Sequence, residues 1–336
     1  MQVRERTTQR RKWRWLALQL GIVAALLLLL WLLLSTTAAN MRERGIQSGF
    51  DFLLQPAGFG IGEGVFAFES GDAYWLAFGA GLANSLRVAI PGILLATVLG
   101  ALVGIGRLSS NLMLRGLCSI YVEIFRNIPL LLQLLVCYFL LTDLLPDSQS
   151  AIRIASHVFL SKSGLAMPWP DGSHGSGTAL DFPAMGEFGI SGGAVLTPEF
   201  LAMLLGLFLY TSAYIAEIVR SGILSIPAGQ VLAASALGLS RRHTLWLIQI
   251  PQALRLMVPP LTNQYLNLIK NSSLAVAIGY PDLVSISNTT INQTGHAAEC
   301  LVILVAVYLL LSLTTAWLTS HLTSSAEGRP SGPSGE

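Results

Sequence analysis

The sequence predicts an all-α membrane protein with six transmembrane helices, and three observations support that prediction. Of the 336 residues, 53% are apolar and only 11% are charged, whereas roughly 25% are charged in a typical soluble domain. The mean hydropathy is +0.62. Several apolar stretches reach the roughly 20 residues that a helix needs to cross a bilayer. These features exclude a disordered chain, a nucleic-acid-binding protein and an ordinary soluble enzyme.

The first predicted span covers residues 16–35 and follows a strongly basic segment, residues 1–14. By the positive-inside rule this basic end stays in the cytoplasm. A cleaved signal peptide is the alternative, because Thr37, Ala38 and Ala39 place small residues where a signal peptidase cuts. The apolar run is longer than a signal core and further spans follow, so we favour an uncleaved anchor.

Five further spans are predicted from the remaining apolar stretches. They cover residues 78–106, 117–145, 200–219, 256–280 and 300–320. Pro129 can break the helix within 117–145. Six spans place both termini in the cytoplasm. The cytoplasmic loops then hold most of the arginines near span ends, as the positive-inside rule requires. These arginines are Arg107, Arg115, Arg220, Arg241, Arg242 and Arg255.

The same stretches divide the chain into four parts. We expect a tail and anchor over 1–36, an external segment over 37–76, a transmembrane domain over 77–323 and a flexible tail over 324–336. Two loops interrupt the transmembrane domain. Residues 146–196 form an external insert rich in Gly, Ser and Pro, which predicts turns and short extended pieces. The insert is either a folded loop cap or a docking surface for an external partner.

The second interruption, residues 221–256, is a cytoplasmic loop with clear helix signals. Pro227 suits a first helical turn, Gly238 suits a left-handed helix stop, and Ser240 can cap a second helix. Pro251 is expected to end or kink that second helix. The loop therefore predicts two short helices around a tight turn. They form either a rigid knob that enters a groove on a partner protein or an interfacial helix resting on lipid.

This loop resembles the EAA loop of ABC-transporter permeases, with Leu232 in place of the motif's glutamate. In that family the loop forms the coupling helix that docks on the ATPase, so the resemblance implies an ATPase-coupling role here. The positions that match the family pattern and its flanks are Pro227, Gly229, Gln230, Ala233, Ala234, Gly238, Leu239, Ser240, Ile248 and Pro251.

Three other stretches resemble the polar amino acid subgroup of these permeases. They are residues 121–133, with the form Y-x-E-x-F-R-x-x-P-L-L-x-Q, residues 267–274 and residues 84–86. The extra first span, residues 49–54 and the long insert further resemble the general L-amino acid permease subunits of Gram-negative bacteria. The resemblance implies a five-helix type I importer core behind the N-terminal anchor.

The resemblance also implies the partners and the location. It implies a bacterial inner-membrane subunit that works with an ATPase homodimer, a second homologous permease and a periplasmic amino-acid-binding protein, and that moves polar or general L-amino acids. ATP and Mg would be bound by the ATPase, and no cofactor is expected in this chain. The sequence contains no G-x-x-x-x-G-K-[ST] motif, which agrees with a transport subunit that is not itself an enzyme.

Charged and polar residues within the predicted spans are candidates for a substrate path, because such residues usually face a bundle interior or a water-filled cavity. A zwitterionic amino acid needs both acids and bases along its path. Asn263, Asn267 and Lys270 share one helix face by their spacing. The alternative is that the charges pair with each other, as Glu123 and Arg126 can on one helix. The full candidate set is Glu123, Arg126, Tyr214, Glu217, Asn263, Asn267, Lys270, Asn271 and Ser272.

Two other functional classes remain to be compared with the importer. A stand-alone secondary transporter or channel would need paired repeats with interrupted helices, and no convincing internal repeat is present. A membrane enzyme would need a catalytic cluster. The cysteines (Cys118, Cys137, Cys300) and the five scattered histidines favour packing or solvated roles over a metal or catalytic site.

Overall fold

The computed structural model describes residues 49–170, 180–186 and 189–326, together with residues 15, 18–29, 31–33, 35–36 and 39–40. The basic tail and parts of the first predicted span lie outside the described residues, as does most of the C-terminal tail. Between Leu18 and Leu33 the described residues are helical and their side chains are exposed. This agrees with a helix that packs little against the rest of the chain.

The described part of the chain from residue 49 onward is mostly helical. Its helices are α1 (Tyr74–Gly106), α2 (Leu112–Asn127), α3 (Leu130–Asp143), α4 (Pro198–Leu224), α5 (Ala228–Ala236), α6 (Arg241–Thr244), α7 (Ile250–Asn271), α8 (Leu283–Thr294) and α9 (Ala297–Ala326). A π-helical turn (Leu245–Gln249) joins α6 to α7, and a 3-10 helix (Ser272–Ile278) follows α7.

Helices α1 and α4 form the most extensive helix pair and the centre of the apolar core. Glycines let their backbones approach closely. A Cβ atom on Gly100 would lie 2.6 Å from Cβ of Ile215, and one on Gly104 would lie 2.7 Å from the Ala216 carbonyl oxygen. Without a hydrophobic driving force between helices in lipid, such close packing of small residues is a principal source of helix association.

Pro129 breaks the third predicted span, as its sequence position predicted. Helices α2 and α3 are bent by 105° on either side of Ile128 and Pro129. Proline disfavours the helical conformation for the residue before it, and Ile128 is extended. Gln133 Nε2 donates to the carbonyl oxygens of Phe125 and Ile128, both at 2.8 Å. It thereby satisfies two acceptors that the break leaves without helical partners.

The insert contains a small β-structure, so the all-α prediction is wrong for this part of the chain. Its strands are β1 (Ile152–Ala155), β2 (Val158–Ser161), β3 (Gly164–Met167), β4 (Trp169–Pro170), β5 (Leu180–Asp181), β6 (Ala184–Gly186), β7 (Gly189–Ser191) and β8 (Ala194–Leu196). Strands β1, β2, β3 and β8 form an antiparallel sheet in that order, with Leu165 opposite Leu196. The predicted short extended pieces are thus confirmed.

Residues 49–73 fold over the same end of the bundle as the insert. Phe52 is buried against Tyr74, and its ring stacks on His296 at a centroid distance of 4.6 Å. The backbone N–H of Gly49 donates to Glu299 at 2.9 Å. We call this the insert end. Helix α4 starts there and finishes beside residues 227–251, at the opposite end, which we call the loop end.

The described residues contain three helices that are long and apolar enough to cross a membrane, at 74–106, 198–224 and 297–319. They confirm the second, fourth and sixth predicted spans. The bent pair α2 and α3 makes a possible fourth. The predicted span 256–280 is α-helical only to Asn271, continues as a 3-10 helix to Ile278, and does not meet the same criterion. The full count of six is therefore a prediction that the structure supports only in part.

Candidate functional site

Glu217 on α4 is the centre of an ionic cluster near the loop end. Its carboxylate accepts a hydrogen bond from Arg107, which follows α1 directly. Arg220 Nη2 lies 3.0 Å from Oε1, and Arg126 Nη1 on α2 lies 3.7 Å from Oε2. One negative charge thus faces three guanidinium groups from three helices. The cluster ties the loop-end halves of α1 and α4 to the last turn of α2 and leaves an excess of positive charge.

Two tyrosines of α4 extend this cluster along the helix. The guanidinium of Arg126 lies 5.2 Å from the centre of the Tyr214 ring, within the range of a cation–π interaction. The Tyr210 hydroxyl donates to the Tyr214 hydroxyl at 3.2 Å. Of the candidate path residues, the structure therefore brings together Arg126, Tyr214 and Glu217.

Glu123 stands apart from that cluster, and the prediction that it pairs with Arg126 is wrong. Its side chain is exposed and accepts a 3.3 Å hydrogen bond from Asn127. The physical reason is that Arg126 reaches the less exposed carboxylate of Glu217 on the neighbouring helix. A charge pair in a less solvated position is stronger than one in open solvent.

Helix α7 carries the predicted polar face. Asn263, Asn267 and Lys270 are all exposed on it, which confirms that these side chains share one face. No acidic side chain among the described residues lies within ion-pair distance of Lys270. A bare polar strip on a helix within a membrane domain is costly next to lipid, so this strip requires water, a solute or another protein beside it.

Asn271 and Ser272 differ from the other members of that strip. Asn271 is half-buried, whereas Ser272 is buried and its hydroxyl donates to the Ile269 carbonyl oxygen at 2.8 Å. The chain changes from α-helix to 3-10 helix at Ser272, and the tighter turn rotates this side chain inward. Ser272 was predicted to lie on the path, and its burial removes it from the exposed face.

The loop 227–251 forms the predicted helix, turn and helix. Pro227 precedes α5, and Gly238 ends it with a left-handed φ of +81°. The N–H groups of Gly238 and Leu239 return to the carbonyl oxygens of Ser235 and Ala234, at 3.0 and 3.1 Å. Such bonds are typical of a left-handed helix stop. Ser240 then caps α6 by accepting from the His243 N–H, as predicted.

Pro251 does not end the second helix, contrary to that part of the sequence prediction. Helix continues from Arg241 through the π-helical turn into α7, and Pro251 lies in the first turn of α7. The π turn directly precedes Pro251, and such a wider turn leaves room for the proline ring and its missing N–H. Consequently the second helix of the loop is not short but is the beginning of a rod that reaches Asn271.

Most of the loop's surface is free of contacts with the described residues. Ala234 is buried, whereas Ala233, Gly229 and Gln230 are exposed. Leu232 is 69% exposed and Leu237 is 82% exposed. Leu232 lies on α5, and Leu237 directly follows that helix. We call these two exposed leucines the apolar knob, because exposed apolar side chains of this kind form a surface that another protein covers. Of the other predicted loop positions, Leu239 and Ile248 are half-buried.

Sequence reasoning missed two elements of the site. Arg107 and Arg220 were assigned only to the positive-inside pattern, yet both bind Glu217. The spacing of Glu217 and Arg220 by three residues was a signal for their contact. At the insert end, Arg87 pairs with Glu63 at 3.0 Å and lies 4.6 Å from the Phe200 ring centre. Burial raises the pKa of the Glu63 carboxyl, and Thr197 and Arg87 oppose that shift.

The described residues contain no group of three or more His, Cys, Asp or Glu side chains that could hold a metal. Cys118 and Cys137 are half-buried and Cys300 is buried. Each is a free thiol surrounded mainly by apolar packing, in agreement with their predicted structural role.

The model of one protein family, described as "Binding-protein-dependent transport system inner membrane component", matches residues 92–327. The chain belongs to this family. Membership confirms that it is a transport component and not an enzyme. The inner-membrane location follows from the same description, and the long apolar helices agree with it.

Several relatives cover nearly the whole chain. It is 41% identical to the putative amino-acid ABC transporter permease protein YhdX of Escherichia coli, over 90% of this chain and 91% of that protein. It is 38% identical to the general L-amino acid transport system permease protein AapQ of Rhizobium johnstonii, over 91% of this chain and 90% of that protein.

Solved structures share the fold. One, titled as the crystal structure of an amino acid ABC transporter with histidines, matches 75% of this chain and 95% of its own at a TM-score of 0.54 and 24% identity. A methionine ABC transporter in inward-facing conformations matches 75% of this chain and 97% of its own, at a TM-score of 0.52 and 17% identity.

Proposed function

We propose that this family member is a permease subunit of an ABC importer that moves amino acids across the bacterial inner membrane. The supporting observation is the continuous rod from Arg241 to Asn271. At one end it starts beside the exposed knob of Leu232 and Leu237, and at the other it carries Asn263, Asn267 and Lys270. At 1.5 Å per residue the rod is roughly 45 Å long.

The rod gives a mechanical link between two surfaces that a driven transporter must couple. An ATPase pair that closes on ATP would press on the knob through residues 227–251. Because the helix is unbroken from Arg241 to Asn271, with Pro259 and Pro260 inside it, displacement at the knob would be carried along it to the polar strip at the other end. The spans would then alternate as rigid bodies between two states, each biased by nucleotide or by solute.

The ionic cluster has a different role in this proposal. Glu217, with its three arginines, holds α1, α2 and α4 as one body, against which the rod moves. The cluster retains positive charge, and Arg126 remains partly exposed beside Tyr214. A solute carboxylate could therefore be attracted to Arg126, and we assign Arg126, Tyr214, Asn263, Asn267 and Lys270 to the substrate path.

The proposals for substrate class and partners rest on the relatives and not on the geometry. We propose general or polar L-amino acids as substrates, because the two relatives named above, which align with nearly the whole chain, carry amino-acid permease names. We further propose an ATPase homodimer, a second homologous permease and a periplasmic amino-acid-binding protein as partners. Both termini would be cytoplasmic, which places the loop end in the cytoplasm and the insert end outside.

The test is to tag the chain, extract it gently and identify the proteins that co-purify. We expect an ATPase and a second, related permease. Proteoliposomes made from that complex should take up labelled L-amino acids only when the lumen contains ATP and the binding protein is outside. Purification of the chain alone, together with uptake driven by an ion gradient without ATP, would overturn the proposal in favour of a secondary transporter.

A further inference from the structure

A cleft of about 790 Å³ lies at the loop end, between the spans and the helices of the loop. Its walls come from the end of α1 and the residues after it, the start of α2, the end of α4, and α5 with α6. The volume lies within the range of roughly 300–1,000 Å³ that is typical of small-molecule sites. It is separate from the Glu217 cluster, since none of the four cluster residues lines it.

The lining of the cleft combines two kinds of chemistry. Most of its wall is apolar, with side chains such as Ile105, Leu108, Ile223 and Leu245. The polar part includes Arg241 and Arg242, which are consecutive in the chain and are both exposed. A ligand that satisfies both parts needs an anionic head and an apolar body.

The two arginines have no counter-ion in the described protein. No carboxylate of the described residues lies within 4.0 Å of either guanidinium. The sequence explains why, because residues 108–122 and 221–281 contain no Asp or Glu at all. Arg107, Arg126 and Arg220, by contrast, all share Glu217. Arg241 and Arg242 therefore offer a charge that no carboxylate of the described residues balances.

The cleft is continuous with a surface that lipid would cover. Leu114 lines the cleft, and it belongs to the first turns of α2. On the same turns Leu112 is 72% exposed, Met113 is 74% exposed and Leu117 is 58% exposed. Such a dense group of exposed apolar side chains, next to a span, is stable in a bilayer and not in water. An acyl chain can thus pass from this surface into the apolar part of the cleft.

We propose that this cleft binds an anionic phospholipid, with its phosphate on Arg241 and Arg242 and an acyl chain along the apolar wall. Basic pockets between membrane helices on the cytoplasmic side are suited to such headgroups. The lipid would lie between α5 and the ends of α1 and α4. It would therefore support the knob from behind, and the response of the rod to the knob would depend on anionic lipid.

The matched variants separate charge from shape. R241Q/R242Q removes both charges from exposed positions and leaves the apolar wall intact. R255Q is the control, because Arg255 is an exposed arginine on the same rod that does not line the cleft. A second variant, S235F, places a bulky side chain on the α5 wall and leaves both arginines in place. Thermal unfolding in detergent verifies that each variant is folded.

The measurement is native mass spectrometry of the complete complex, after exchange into detergent with phosphatidylglycerol or phosphatidylcholine. We expect retained phosphatidylglycerol, but not phosphatidylcholine, on the wild type and on R255Q. Loss of the charge-assisted hydrogen bonds should lower retention roughly tenfold in R241Q/R242Q, and S235F should lower it as well.

Four results would overturn the proposal. If R241Q/R242Q retained as much phosphatidylglycerol as the wild type, the arginines would not belong to a lipid site. If the wild type retained as much phosphatidylcholine as phosphatidylglycerol, the site would not require an anionic headgroup. Displacement of phosphatidylglycerol by millimolar inorganic phosphate would assign the arginines to a soluble anion. Loss of a co-purifying subunit from R241Q/R242Q with lipid retention unchanged would assign them to a protein partner.

Discussion

Arg126 Nη1 lies 3.7 Å from Glu217 Oε2, so the ion pair of Arg126 crosses from α2 to α4 and does not stay on its own helix. The contact makes Glu217 the common ion-pair partner of three arginines. The Glu217 side chain is 26% exposed and that of Arg107 is 12% exposed. At that degree of burial, losing one partner of a charged pair leaves the other poorly solvated.

The first prediction concerns Glu217→Gln, which keeps the shape of the side chain and removes its charge. Three guanidinium groups would then face each other without a counter-charge. We expect the free energy of unfolding in detergent to fall by about 2–3 kcal/mol, and transport to fall with it.

Glu123→Gln is the matched control for Glu217→Gln. Glu123 lies on the adjoining helix, is exposed and accepts one weak hydrogen bond from Asn127. We expect Glu123→Gln to change the free energy of unfolding by less than about 0.5 kcal/mol. Equal effects of the two substitutions would show that the cluster does not hold the three helices together.

The second prediction concerns the polar strip of α7. Lys270→Gln removes a charge that has no acidic partner among the described residues, so the fold should not depend on it. We expect unchanged thermal unfolding and at least a several-fold loss of ATP-dependent uptake, because the strip is assigned to the path.

Lys162→Gln serves as the control for that strip. Lys162 lies in the insert and pairs with Asp147 at 3.4 Å on the protein surface, where such pairs contribute little. ATP-dependent uptake by Lys162→Gln should equal that of the wild type. If Lys270→Gln also transports at the wild-type rate, the strip has another role, such as contact with a second permease.

Local rules made much of this architecture predictable. The left-handed stop at Gly238, the cap at Ser240 and the break at Pro129 depend on one or two residues and their own backbone conformations. The shared face of Asn263, Asn267 and Lys270 follows from helical periodicity alone. These features were predicted from the sequence, and the structure confirms them.

Features that depend on tertiary placement were not predictable in the same way. Arg107 and Arg126 reach Glu217 only because α1 and α2 pack on α4, and nothing near them in the sequence encodes that packing. The accommodation of Pro251 by a π turn also depends on its surroundings. The rod of residues 241–271 exists because that turn absorbs a proline at which local rules predict a helix end.

The third prediction concerns Gly238, whose φ of +81° strains most side chains, although no atom lies within 4 Å of the position that a Cβ would occupy. Gly238→Trp should therefore cost about 1–2 kcal/mol locally and redirect the knob. The protein should still reach the membrane, yet ATP-dependent uptake should be abolished.

Gly238→Asn distinguishes backbone strain from side-chain size, since asparagine tolerates the left-handed conformation. We expect this variant to retain most of its uptake. Gly229→Ala is a further control, because Gly229 is exposed, its φ is not left-handed and it also has open space around it. Wild-type uptake by Gly238→Trp would contradict the coupling role of the loop.

The fourth prediction concerns the contact of α1 with α4. Gly100→Val would place Cβ about 2.6 Å from Cβ of Ile215, so the two helices would have to separate. Overpacking of a tight core typically costs about 1–3 kcal/mol, and the added methyl groups would also disturb the alignment of Arg107 with Glu217. Unfolding in detergent should show this loss of stability, and ATP-dependent uptake should fall.

Gly116→Ala on α2 is the opposite case, because no atom lies within 4 Å of its Cβ position. Alanine is favoured over glycine inside a helix by about 0.5–1 kcal/mol, so this variant should be slightly more stable than the wild type. A Gly100→Val protein as stable as the wild type would show that α1 and α4 can move apart freely. The ionic cluster could then not act as a fixed body against which the rod moves.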